Sequence, residues 1–311
     1  MRIVITGATG FIGKALCENL HRDYEVIALS RNTAKAKNLL GKTAEPVCWD
    51  GRKLDEWSAF VDGALGVINL AGENIASGRW SKAKKERILN SRLTASQAIL
   101  SAIKEAKKKP EVFIQASAVG YYGDRCDEIL DENSAYGQGF LARVCRQIEG
   151  LAEEIRDMGI RWIIIRTGVV LGAGGGVLKK LLPSFKFFLG GCYGQTKAWF
   201  PWISLMDEVL AIRFLLENKK TNGVYNLTSP APILSGTFYD VLGQVTARPV
   251  WFNPPGFLLK LLMGEMGGEL LLSSQRVMPK RLLDAGFEFE YVDITKALCD
   301  ILGERRQDGI R

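Results

Sequence analysis

The chain has 311 residues, 47% of them hydrophobic and 24% charged. That composition excludes intrinsic disorder and a disulfide-stapled miniprotein, and the length accommodates one large or two unequal domains. Lys plus Arg exceeds Asp plus Glu by 41 − 34 = 7, an excess that attracts phosphorylated ligands and nucleic acid alike.

Arg2–Thr6 is a short apolar run closed by Gly7, which predicts a buried strand. Phe11–Arg22 sets Ile12, Leu16 and Leu20 on one helical face. Glu25–Ser30 is predicted as the second strand, Asn32–Leu40 as a short helix, and Glu45–Trp49 and Leu65–Leu70 as the third and fourth strands. A helical stretch runs from Ser81 to Lys108, where Pro110 bars its continuation. Glu111–Ser117 is the fifth strand, Gly139–Met158 a helix and Arg161–Arg166 the sixth strand. This alternation predicts an α/β fold, a Rossmann-like doubly wound parallel sheet whose apolar strands are buried on both faces. Beyond Gly172 the pattern loosens. The expected division is a nucleotide-binding domain over 1–172, with 198–230 returning to it, and a smaller mixed C-terminal region over 173–311.

The residues also exclude several chemistries. Six cysteines, at 17, 48, 126, 145, 192 and 299, form no C-x-x-C pair, which predicts a reducing, cytoplasmic setting. The single histidine, His21, sits at the end of the first predicted helix, so neither a zinc site of readable spacing nor a His-based triad is expected. No stretch reaches the roughly 20 apolar residues of a membrane span. Lysines at 82–87 and 104–109 read as solvated helix faces. A small-molecule substrate is expected, with no nucleic-acid or membrane partner; oligomerisation stays open.

The strongest local signal is Thr6-Gly7-Ala8-Thr9-Gly10-Phe11-Ile12-Gly13, between the first strand and the first helix. Gly7 can turn tightly, Gly10 lets backbone approach a pyrophosphate and Gly13 lets the helix lie against the strand. The helix N-terminus adds unpaired N–H groups and partial positive charge. Gly7, Thr9, Gly10, Phe11, Ile12 and Gly13 are the predicted phosphate contacts. Where NAD-selective sites place an acid, this chain has Ser30-Arg31. An arginine matches a ribose 2′-phosphate in charge and geometry, so the predicted cofactor is NADP. Asp50 and Asn69-Leu70-Ala71-Gly72 end the third and fourth strands and are predicted to border the same cofactor.

This loop, the Asn-Leu-Ala-Gly strand end and Tyr122-Gly123 resemble the extended short-chain dehydrogenases, the nucleoside-diphosphate-sugar epimerase/dehydratase class. Asn69–Asn74, Gly78-Arg79-Trp80, Ser91-Arg92, Ala116–Gly123 and Arg166–Gly172 are similar to its atypical subgroup of epimerase family proteins, as are Pro201–Ile203, Gln275–Arg281 and Ala285–Phe287. The resemblance implies Arg92 and Val169 as cofactor contacts and Ser117 as a substrate-orienting hydroxyl. Glu73, Arg79, Trp80 and Arg166 are the candidate substrate contacts.

That superfamily needs a tyrosine with a lysine four residues on, because a nearby ammonium must lower the phenol's pKa before it can work near neutrality. Of the tyrosines at 24, 121, 122, 136, 193, 225, 239 and 291, only Tyr193 has that partner, Lys197, in a glycine-rich loop far from the fifth strand. Counting back from Glu149 on the expected helix puts Leu141 and Cys145 at the dyad positions. Ser117, Tyr121 and Tyr122 are therefore the candidate catalytic residues. Two readings stay open. One is an NADP-dependent oxidoreductase or epimerase-like enzyme without the usual dyad. The other is a non-catalytic NADP-binding regulatory protein, since similar sequences are linked to cell division.

Overall fold

The structure, a computed structural model, describes residues 1–251 and 253–303. The chain divides into two compact units.

The first unit holds 1–121, 141–166 and 209–225. Its centre is a sheet of seven strands: β1 (Arg2–Thr6), β2 (Glu25–Ser30), β3 (Glu45–Cys48), β4 (Gly66–Asn69), β5 (Val112–Ala118), β6 (Arg161–Thr167) and β7 (Gly223–Leu227). Their spatial order is β7-β6-β5-β4-β1-β2-β3. β1 pairs in parallel with both β2 and β4, so the order reverses beside it, and ligands of doubly wound sheets bind at the carboxyl ends of the strands at such a point. Helices α1 (Phe11–Leu20), α2 (Thr33–Leu40), α3 (Lys82–Glu105) and α4 (Phe140–Glu153) follow β1, β2, β4 and β5. Val4, Ile27, Val67, Phe113 and Ile164 share one core cluster with Ala95, Ile99 and Ala102 of α3 and Ala152 of α4. Their strand neighbours Ile3, Ile5, Ile68 and Ile114 are equally buried and, by alternation, face the other way. Both faces are covered, which is why these strands lack polar alternation.

The second unit holds 122–140, 167–208 and 226–303 of the described residues. It contains α5 (Leu178–Lys186), the start of α6 (Leu205–Glu217), α7 (Ser235–Val245), α8 (Gly256–Met263) and a C-terminal helix over Ile294–Leu302. Three two-strand pairs lace it: Val169–Leu171 with Trp202–Ser204, Trp199–Phe200 with Ile233–Leu234, and Ile129–Leu130 with Arg276–Val277. Leu171, Leu178, Phe185, Trp202, Phe238 and Leu298 centre its core.

Two expectations are corrected. The boundary is not at 172: the pairing of Ile129–Leu130 with Arg276–Val277 draws 122–140 into the second unit, and only 209–225 of the expected 198–230 return to the first. Residues 304–311 of the expected C-terminal region lie outside the described residues. Nor is Lys84 solvated: it is 4% exposed, and its ammonium donates to Glu73 and Ser77. Among the described residues no helix is long and apolar enough to cross a membrane.

Candidate functional site

The carboxyl edge of the first unit's sheet collects most of the predicted residues. After β1 the chain turns at Gly7 with φ +68, a conformation that a side chain resists, and a Cβ there would lie 2.6 Å from the Leu70 carbonyl oxygen. A Cβ on Gly13 would overlap the Gly7 carbonyl, so the helix sits on the strand only because that position is bare. Gly10 caps α1 in an extended conformation without a side-chain hydrogen bond. The first-turn N–H groups from Phe11 onward are thus left to a ligand. Thr9 and Gly10 are exposed, and Phe11 and Ile12 half-buried.

After β2, Ser30 Oγ closes a local turn with Asn32. Arg31 is exposed and makes no hydrogen bond or ion pair among the described residues. Asp50, also exposed, accepts from the Lys53 and Arg52 N–H groups, and these bonds hold its carboxyl below the usual range. The edge therefore offers backbone donors for a pyrophosphate and an uncommitted guanidinium beside them. These residues fit a 2′-phosphorylated dinucleotide.

Asn69 corrects the sequence reading. It is 1% exposed, and its amide is spent internally: Nδ2 donates to Gln115 Oε1 (2.9 Å) and Ser96 Oγ (3.1 Å), while Oδ1 accepts from Thr6 Oγ1. The side chain ties β1, β4, β5 and α3 together, and the less buried residues of this strand end are Leu70, Ala71 and Gly72. Beneath Gly72 lies Arg92, whose guanidinium a Cβ would meet at 2.7 Å. Arg92 Nη1 donates to the carbonyls of Glu73 and Ile88 at 3.0 Å each, fixing the strand-end loop from below.

The predicted substrate contacts separate. Arg79 is exposed. Glu73 is half-buried, and its bond from Lys84 holds its carboxyl below the ordinary range. Trp80 is corrected: it is 9% exposed, and its Nε1 donates to the Ile75 carbonyl at 2.7 Å, anchoring the loop. Arg166 is corrected as well. At 3% exposure its guanidinium is bidentate on Glu149, with Nη2–Oε2 at 2.8 Å and Nε–Oε1 at 3.1 Å.

This pair is what sequence reasoning missed. Ser117 Oγ, at the end of β5, donates to Glu149 Oε1 at 2.6 Å. Arg166 also lies 3.4 Å under the Tyr121 ring, so four residues from β5, the turn after it, α4 and β6 form one array. The available signals were the lone arginine closing the apolar run Trp162–Ile165 and the placement of Glu149 one helical turn after Cys145. Cys145, at the dyad's lysine position, is 4% exposed, and burial, reinforced by the charge of Glu149, pushes its thiol up to about 11. It is an uncharged thiol near neutrality. Leu141 fills the tyrosine position and lies against Gly120.

In the second unit, Tyr122 is corrected. It is 0% exposed, and its hydroxyl lies 2.8 Å from Asn226 Oδ1 and 2.9 Å from the Asp131 carbonyl. A proton donor must reach its substrate; this phenol is part of a core. Val169 is half-buried and pairs with Trp202. Tyr193 donates to the Leu189 carbonyl at 2.8 Å, and Lys197 is exposed.

Comparison with known proteins gives a consistent picture. The sequence profile of the NAD dependent epimerase/dehydratase family matches residues 3–228, and a domain of unknown function (DUF1731) matches 254–301. The chain is 39% identical over 305 residues to the chloroplastic epimerase family protein SDR39U1 homolog of Arabidopsis thaliana, covering 97% of this chain and 87% of that one. It is 36% identical over 310 residues to the epimerase family protein YfhF of Bacillus subtilis, covering 98% and 99%. Among solved structures, human epimerase family protein SDR39U1 (isoform 2) with NADPH superposes with a TM-score of 0.88 at 30% identity, covering 98% of this chain and 100% of that one. A UDP-glucuronic acid 4-epimerase from Bacillus cereus shares the fold, with a TM-score of 0.79 at 16% identity over 98% of each chain.

Proposed function

The chain belongs to the NAD dependent epimerase/dehydratase family, and from that premise we propose an NADP-dependent oxidoreductase or epimerase-like enzyme that works without a tyrosine–lysine dyad. Bound NADP supplies the hydride chemistry; the protein supplies binding, orientation and the path of the proton. The α1 N-terminus and Gly10 hold the pyrophosphate, Arg31 takes the 2′-phosphate, and Asp50, Leu70–Gly72 and Arg92 border the rest. The choice of NADP rests on Arg31 and on the NADPH in the human relative.

One observation carries the catalytic reading: the Ser117 hydroxyl donates to a carboxylate that Arg166 holds in place. With its hydrogen so directed, Ser117 Oγ, which also meets the Cys145 thiol, can accept a substrate hydroxyl's proton as its own passes to Glu149. The reverse movement serves a carbonyl. Tyr121, fixed over Arg166, orients the substrate; Glu73 and Arg79 are the polar contacts at the β4 side. The cytoplasm is the proposed compartment, resting on six free cysteines; the Arabidopsis relative is chloroplastic by name.

Leu141 and Cys145 favour a second reading, a regulatory NADP-binding protein without turnover. A panel of carbonyl compounds and nucleotide sugars, followed by NADPH consumption, separates the two. Under the enzymatic reading Ser117→Ala lowers turnover by roughly 10²–10⁴-fold while NADPH affinity holds. If the wild type turns over nothing and NADPH alters partner binding instead, the regulatory reading stands.

A further inference from the structure

Independently of the dinucleotide site, the second unit carries an apolar tip on two stretches of sequence that hold no acid. Phe187, Phe188 and Leu189, which follow α5, are 76%, 55% and 52% exposed, and Trp251 is 65% exposed. The two segments are joined: Trp251 Nε1 donates to the Phe188 carbonyl at 2.8 Å and its N–H to the Gly190 carbonyl at 3.2 Å. Phe188 holds φ +59, a left-handed conformation that a bulky residue adopts only under constraint. Burying these side chains would relieve water of large apolar surface, and folding has not done so.

The charged residues of those two stretches are cations. Residues 167–206 contain Lys179, Lys180, Lys186 and Lys197 and no Asp or Glu, and 241–264 likewise contain no acid. Arg248 lies 4.6 Å over the Phe188 ring. Asp240 is the nearby carboxylate, and its charge acts on buried Cys192. Lys186 thus directly precedes the exposed side chains, Arg248 lies over one of them, and Lys179 and Lys180 share a helix with Lys186. On α8, Phe257 and Leu261 add further exposure at 73% and 69%.

We propose that the tip formed by Phe187, Phe188, Leu189 and Trp251 docks on the surface of an anionic lipid bilayer. Such an occupant takes both halves of the pattern, apolar side chains entering the headgroup boundary and lysines meeting phosphate and carboxylate headgroups. Tryptophan, with an apolar ring and a polar edge, suits that boundary. Nucleic acid would use the lysines and leave the tip in water. The attachment is peripheral, in keeping with the absence of a spanning helix among the described residues.

The test is co-sedimentation of the full chain with vesicles of phosphatidylcholine, alone or with about one third phosphatidylserine. Binding is expected to the anionic vesicles, weakening with salt, and not to the neutral ones. Phe187→Ser with Leu189→Ser should lower partitioning at least about tenfold. Lys179→Ala with Lys186→Ala should lower it roughly 30-fold at low salt, about fivefold per charge. Circular dichroism and NADPH affinity, unchanged in both variants, keep a folding defect apart from a docking defect. In the wild type, brominated lipid should quench Trp251, and Trp251→Phe should remove that quenching. No sedimentation with anionic vesicles overturns the proposal. So does undiminished binding by the folded Phe187→Ser/Leu189→Ser variant, or a dimer that this variant abolishes without any vesicle binding, which would give the tip to a second copy of the chain.

Discussion

Of the buried glutamates, Glu149 in the first unit and Glu208 in the second are kept by opposite means. Glu149 in the first unit is 6% exposed, and both its oxygens take donors, two bonds from Arg166 and one from Ser117. Glu208 in the second is 0% exposed; Oε1 accepts from Thr167 at 2.8 Å, and Oε2 has no partner among the described residues. Burial pushes Glu208 up to about 8, only partly opposed by the Thr167 bond. Water's loss is compensated by a guanidinium in one case and by keeping the proton in the other. Glu149 shares its oxygens with a serine and an arginine, whereas Glu208 keeps its proton within the core.

The same conservative substitution should therefore act with opposite sign. Glu149→Gln leaves Arg166 buried without its counter-charge and should destabilise by about 3–5 kcal/mol, seen as a fall in the denaturant midpoint at pH 7. Glu208→Gln should stabilise at pH 7 by up to roughly 3 kcal/mol. The sign follows from proton binding: Glu208 is protonated when folded and ionises near 4.5 when unfolded. Its contribution is complete below pH 4.5 and lost as pH rises toward 8, so the variant's advantage should vanish in acid. Parallel stability curves for both proteins from pH 4 to 8 would break the contrast.

Smaller effects sharpen the site. Arg31→Ala should weaken NADPH binding roughly 10- to 150-fold, about 1.5–3 kcal/mol, and spare NADH, since only NADPH carries the 2′-phosphate. Equal losses by calorimetry would remove Arg31 from the site. Tyr122→Phe should cost about 1 kcal/mol of stability through the lost bond to Asn226 or Asp131, with turnover and NADPH affinity unmoved. Lost turnover in a stable Tyr122→Phe protein would return the phenol to the mechanism.

The legible part of the molecule is the part made by neighbours in sequence. Arg2–Gly13 contains a strand, its turn and the helix start, and each glycine there has a local reason. Asn69 misled because a side chain at a strand's carboxyl end meets a ligand and its own neighbours with equal ease; Thr6, Ser96 and Gln115 decide the matter, and they converge only in three dimensions. Tyr121 and Tyr122 are adjacent, yet one stacks on Arg166 and the other is buried against Asn226, from a segment far along the chain. The exchange of 122–140 between units depends on a pairing of equally distant residues. Arg166 reads from sequence as a substrate contact, although an arginine closing an apolar strand also calls for a buried partner. Glu149 is that partner, and its pairing with Arg166 and Ser117 across α4, β6 and β5 is a contact of the folded chain alone.

The central claim is that Ser117, held by Glu149, stands where a Tyr–Lys dyad would otherwise serve the nicotinamide. A crystal structure of the chain with NADPH tests it most directly. The expected result is the pyrophosphate on the α1 N-terminus, the 2′-phosphate on Arg31, and the reactive face of the nicotinamide open toward Ser117 Oγ with Glu149 still bonded to it. A nicotinamide ring turned away from Ser117, or covered by protein so that no substrate could lie between them, would contradict it.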